Sequence, residues 1–131
     1  MTDVVIADLI GKLLADAAVT KVVRARVYKG HLSTIGEVKY PCLTLMRRTG
    51  RTSDRGYTSA WSLLVSAYSE DSDQAFELLE AADAVIKNAY GDAGGGRYYT
   101  IDPTSTPIDT VDAKATTVYG SHRVFAISQI S

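Results

Sequence analysis

The stretch TSAWSLLVSAY, residues 58–68, constrains the fold more than any other part of the chain. Trp61, Leu63, Val65 and Ala67 alternate with Ser62, Leu64 and Ser66. A period of two places the first set on one face of a strand and the second set on the other, so only one face is strongly apolar. Such a strand belongs in a sheet that is covered on one side.

The segments around it supply the cover. From Asp3 to Ala15, Ile6, Leu9, Ile10, Leu13 and Leu14 recur at offsets of three and four, with Asp8 and Lys12 forming an i,i+4 pair on the other side, which predicts an amphipathic helix. Asp16 is placed to cap a short second helical segment ending near Val23, and a brief strand is expected at Arg26 to Tyr28. Asp71, three residues before Gln74, opens a further helix with Phe76, Leu79, Ile86 and Tyr90 at helical spacing, expected to stop at Gly91.

Further strands are expected at CLTLMRR after Pro41, at Arg97 to Ile101 after a glycine-rich turn, and through VYGSHRVFAISQI, where Arg123, Phe125, Ile127 and Gln129 alternate with Val124, Ala126 and Ser128. Residues 29–41 read as a long surface loop, and 102–117 as loop with a short extended piece near Ile108 to Val111. The order implies an α+β fold: an antiparallel sheet of four to five strands with two main helices packed on one face.

At 131 residues the chain fits one domain, residues 1–131, large enough to bury roughly two thirds of its unfolded surface. A net charge of −1 gives no global case for a nucleic-acid or membrane partner, so any such role rests on a local patch. The lone Cys42 excludes an internal disulfide and paired-cysteine zinc sites, and Asp3 and Asp8 stand where a secretory signal would need a basic start and an apolar run. The expectation is a protein made in the cytosol, with no membrane span.

Catalytic signatures are sparse. His31 and His122 have no second ligand at metal spacing, and Cys42 has no nearby basic partner, so surface or structural histidines and a buried thiol are expected. GDAGGGR lacks the phosphate-loop pattern and leads into a strand rather than a helix; no G-x-S-x-G elbow exists. No catalytic residue, metal or cofactor is therefore expected, and no enzyme. Eight tyrosines against two phenylalanines, mostly at element ends, suit either an interface or ordinary domain rims.

Within MRRTGRTSDRG, residues 46–56, Arg47, Arg48, Arg51 and Arg55 fall between two strands, with Gly50 and Gly56 available for turns, which predicts a β-hairpin with a long cationic end. Four readings stand, in this order: docking on an acidic protein surface, a solvated tip, a channel lining that touches DNA by charge, and sequence-specific DNA binding.

Taken in order, LLADAAVTKVVRARVYKG (13–30), YPCLTLMRR (40–48), WSLLVSAYSEDSDQAFELLEAADAVI (61–86) and HRVFAIS (122–128) resemble the tail-completion, or tail-terminator, proteins of long-tailed bacteriophages, also called tail-to-head joining proteins. Relatives often carry proline where this chain has Lys29. The resemblance implies a structural virion protein forming a homohexameric ring at the head-proximal end of the tail tube, ending tube polymerisation and joining tail to neck. The implied partners are further copies of itself, the major tail tube protein and a neck or head-completion (stopper) protein, with genomic DNA passing through the ring and open to non-specific contact. Arg47, Arg48, Arg51, Arg55 and Tyr57, with His31 and Tyr40, are then the candidate interface residues. Another head–tail connector component, or a small nucleic-acid-binding domain using the arginine hairpin, is the alternative.

Overall fold

The computed structural model describes residues 2–31, 38–52, 58–87, 89–93, 96–103, 108–112 and 117–130. Helices α1 (Thr2–Leu14) and α2 (Ala17–Val23) lead into strand β1 (Val27–Lys29); β2 (Cys42–Thr52) and β3 (Thr58–Ser69) follow, then α3 (Ser72–Ile86), β4 (Tyr90–Ala93), β5 (Gly96–Pro103), β6 (Ile108–Asp112) and β7 (Val118–Ile130).

The seven strands form one sheet in the order β1-β2-β3-β7-β5-β4. β3 occupies one edge of β7 along almost its whole length, from Thr58 opposite Ile130 to Ser69 opposite Tyr119. The other edge is shared, β5 pairing with the second half of β7 and β6 with the first. The fold is α+β as expected, but the sheet is larger than four or five strands and mixed, because β1 runs parallel to β2 with Val27 opposite Leu43.

A parallel pair needs a long connection, and residues 30–41 supply it. Gly30 turns out of β1 at φ 100°, a conformation open to glycine, and its N–H donates to the Leu45 carbonyl at 2.9 Å.

Both caps form where the sequence placed them. Asp16 Oδ1 accepts from the Ala18 and Val19 amides at 2.9 and 3.2 Å, and Asp71 Oδ1 from the Asp73 amide at 3.0 Å. The reciprocal arm of the second cap is indirect: the Asp71 amide donates to Ser69 Oγ at 3.1 Å, and that hydroxyl donates to Gln74 Oε1 at 2.6 Å.

The third helix stops at Ile86 rather than running on to Tyr90, which opens β4 and is 75% exposed. Its buried stripe is Ala75, Leu78, Leu79, Ala82, Asp83 and Ile86. Phe76 falls at the margin of that stripe, at 100° per residue, and is 44% exposed instead of lying in the core. The expected loop at 102–117 is shorter, since β5 extends to Pro103 and β6 spans Ile108–Asp112; residues 104–107 and 113–116 lie outside the described residues.

The helices pack on the face that carries Trp61, Leu63, Val65 and Ala67, all buried, together with Leu43, Leu45, Phe125 and Ile127. Val5, Ile6, Leu9, Leu13, Val19 and Val23 complete the layer from α1 and α2. Full burial of each such aliphatic side chain contributes about 1.5 to 3 kcal/mol.

Two polar contacts pin helices to the sheet and a third joins neighbouring strands within it. Tyr98 on β5 donates its hydroxyl to Asp8 on α1, Trp61 donates its indole N–H to Gln129 Oε1 at 2.6 Å, and Arg123 on β7 pairs with Asp83 on α3. Asp8, read from the sequence as solvent-facing and paired with Lys12, does lie 3.9 Å from the lysine but also serves the buried tyrosine. The Arg123–Asp83 contact is single-toothed: among the described residues Asp83 Oδ1 and Arg123 Nε are buried without a hydrogen-bond partner. Burial pushes the Asp83 carboxyl up from 3.8 to about 6, while the Arg123 guanidinium pulls the other way.

Two predictions follow from this packing. Leu63→Ala and Leu79→Ala should each lower stability by about 2 to 5 kcal/mol in chemical denaturation, while Phe76→Ala should cost well under half as much. The folded chain holds the Asp83 proton more tightly than the unfolded chain does, so this group's stabilisation is complete below 3.8 and is lost as pH rises through about 6. Asp83→Asn should flatten the stability curve across that interval; an unchanged slope would assign it to another group.

Candidate interaction surface

Arg47, Arg48 and Arg51 lie on a ladder rather than at a loop tip. β2 stays paired with β3 out to Thr52 opposite Ser59, so only residues 53–57 separate the strands. Arg47 stands opposite Leu63 and Arg51 opposite Ala60, and the register slips by one between Arg47 and Thr49, which makes Arg48 the bulged residue. Arg47 and Arg48 are exposed. Arg55 and Tyr57 lie outside the described residues.

The other two candidates lie apart from the arginines. β1 ends opposite Leu45 and Gly30 turns the chain out of the strand into His31, which is exposed. Tyr40 is half-buried at the end away from the arginines, just before β2 begins, where it lines a cleft with Pro41, Ser69, Glu70, Asp71 and Gln74. The structure thus gathers Arg47, Arg48 and Arg51 on one strand end and sets Tyr40 against the start of α3.

The sequence did not single out the polar network on the face of the sheet opposite the helices. His122 on β7 lies opposite Ser66 on β3, and its Nδ1 is 2.7 Å from Ser66 Oγ while its Nε2 is 2.8 Å from Thr110 Oγ1 on β6. The Tyr68 ring meets the imidazole edge-on, with centroids 5.5 Å apart. Gly120 makes the space: a Cβ there would lie 2.8 Å from both His122 Nε2 and Thr110 Oγ1. Burial pulls the His122 pKa down and Asp109 raises it. The imidazole therefore ties β3, β7 and β6 together, a structural role.

Cys42 is buried and its thiol is pushed up to about 11 by burial, with Arg26 opposing. Arg26 itself is held by carbonyls, donating to Pro41 O at 2.8 Å and Val22 O at 3.4 Å. Among the described residues there is no group of three His, Cys, Asp or Glu side chains able to hold a metal, and no helix is long and apolar enough to cross a membrane. What the surface offers is charge: exposed arginines at one end of the β2–β3 ladder, and at the other end Glu70, Asp71, Asp73 and Glu77, exposed around the start of α3.

Thiol reagents should leave Cys42 unmodified in the native protein and react only on unfolding, and Cys42→Ser should preserve the fold by circular dichroism. Rapid native labelling would contradict its burial.

No family model and no curated protein matches the chain. Its fold is similar to that of a chain in the structure of the virion of a native gene transfer agent particle, with a TM-score of 0.74, 16% identity, and coverage of 94% of this chain and 92% of that one. At that identity the likeness speaks to the fold, which the two chains share nearly end to end.

Proposed function

We propose that this chain is a structural protein of a phage-type virion that forms a ring at the head-proximal end of the tail tube, ends tube polymerisation and joins the tail to the capsid neck, without enzymatic activity. The observation that carries the proposal is the near end-to-end match of its fold to a chain of a gene transfer agent virion. The resemblance of residues 13–30, 40–48, 61–86 and 122–128 to tail-completion proteins selects the terminator role among virion roles. Surface chemistry fits the proposal: exposed arginines stand on β2 and exposed carboxylates around the start of α3, as suits a subunit that packs against neighbours around an axis.

In this reading the arginine strand docks on acidic protein surface. Bidentate guanidinium–carboxylate pairs supply orientation, and the mixed charge of the rest of the molecule limits non-specific association. DNA passing through the ring meets at most electrostatic contact, because phosphate contacts alone carry no sequence information.

Particles produced without this chain should show over-long tail tubes and heads lacking tails in electron micrographs, and images of the intact neck should show a hexameric ring at its position. Normal tails on intact heads would overturn the proposal, and a twelve-fold ring would assign the chain to another connector. Salt-dependent DNA binding by the isolated protein, with tail length unaffected by its loss, would instead favour the nucleic-acid reading.

A further inference from the structure

The positions of the two charged surfaces suggest more than docking in general. β3 runs from the arginine end at Thr58 to the acidic end at Ser69, and α3 begins three residues later. Arg47 lies opposite Leu63, six residues from Ser69, and Arg51 lies opposite Ala60, nine residues away. At the rise of a strand these are backbone separations of about 20 and 30 Å. Measured from Glu70, just past the end of β3, these spans exceed the reach of an arginine side chain.

Glu70, Asp73, Glu77 and Glu80 form no ion pair among the described residues, nor do Arg47 and Arg48. Asp109, exposed on β6 and accepting from Ser121 at 2.8 Å, extends the acidic surface on the side away from β1. Arg24 and Lys39 stand at the same end of the molecule but on the β1 side, so the acidic surface is confined to α3 and β6.

We infer that the occupant of the acidic surface is a second copy of this chain: the Arg47–Arg48 end of one copy docks on the start of α3 of the next, over Glu70, Glu77 and the cleft beside Tyr40. This rests on the ring reading and names its subunit contact. Each surface has its complement on the same chain, yet no ion pair among the described residues joins the two, so a second copy satisfies both at once. The contact is heterologous and leaves every copy with one free surface of each sign, which propagates until a ring closes.

Charge supplies orientation and encounter rate, and the apolar anchor is Phe76, which sits among Asp73, Glu77 and Glu80 with 44% of its surface exposed. An exposed aromatic ring flanked by carboxylates suits a guanidinium, which pairs with the acids and stacks on the ring.

The test is sedimentation velocity at low ionic strength with wild type, Arg47→Glu/Arg48→Glu, Glu70→Arg/Glu77→Arg, the fourfold combination, and an equimolar mixture of the two double variants. Asp71 is left intact because it caps α3. Wild type should self-associate, and added salt should weaken the association. Each double variant alone should associate at least about tenfold more weakly, since like charges then meet. The mixture should recover association in even-numbered species, because each variant's altered surface complements the other's, and the fourfold variant should recover it alone. Circular dichroism of each variant separates lost contacts from lost fold. Phe76→Ala should weaken association by a similar factor.

A wild-type chain that stays monomeric at millimolar concentration, or association insensitive to these reversals, would overturn the inference. A ring that forms through other contacts would leave the proposed function standing, whereas a chain absent from the tail–neck junction would remove the function whatever its self-association.

Discussion

The β3–β7 ladder is the constraint on which the rest of the molecule hangs. It joins residues about sixty positions apart in sequence, and β2, β5, β6 and α3 are each fastened directly to one or both of its strands. β2 and β1 extend the sheet from β3, β5 and β6 share the far edge of β7, and α3 packs across both strands while Asp83 reaches Arg123. Closing so long a loop costs entropy, which the contacts made by β2 and the helices offset once the ladder forms. The pairing also fixes which side chains meet on each face. Trp61 and Gln129 share one hydrogen bond, and Ser66 and His122 another.

Much of this architecture was legible wherever one period dominated a segment. The alternation at 58–68 named the buried face residue by residue, and the two aspartate caps were read from single positions followed by helical spacing. The failures have physical causes. Phe76 and Tyr90 match a helical template, but neither is buried: the stripe of α3 passes beside the first, and the helix has ended before the second. β1 has only three residues, too few to carry a period, and nothing local records that its pairing is parallel. β6 is short and polar, and its strand character comes from the unoccupied edge of β7 rather than from its own composition.

The candidate surface was half legible. A run of four arginines is visible in any reading, but the place of Arg47, Arg48 and Arg51 on a paired strand depends on a ladder that continues further than composition implies. The acidic residues of α3 look like an ordinary solvated helix face until the direction of β3 puts the start of that helix at the opposite end from the arginines. His122 carried no sequence signal because its partners, Ser66 and Thr110, come from two other strands and the space beside it comes from Gly120.

The bulge in β2 sets how that strand tolerates change. Ladder residues are counted in pairs, and from Thr49 onward each has its opposite number on β3, as Arg47 and its predecessors do. Arg48 is the residue the count passes over. Its loss would straighten the strand and subtract one charge while every other pair kept its place, whereas removing a paired residue would force the remainder to re-register. Selection can therefore adjust the positive charge at this edge by the length of the strand as well as by substitution, with the register of the core untouched.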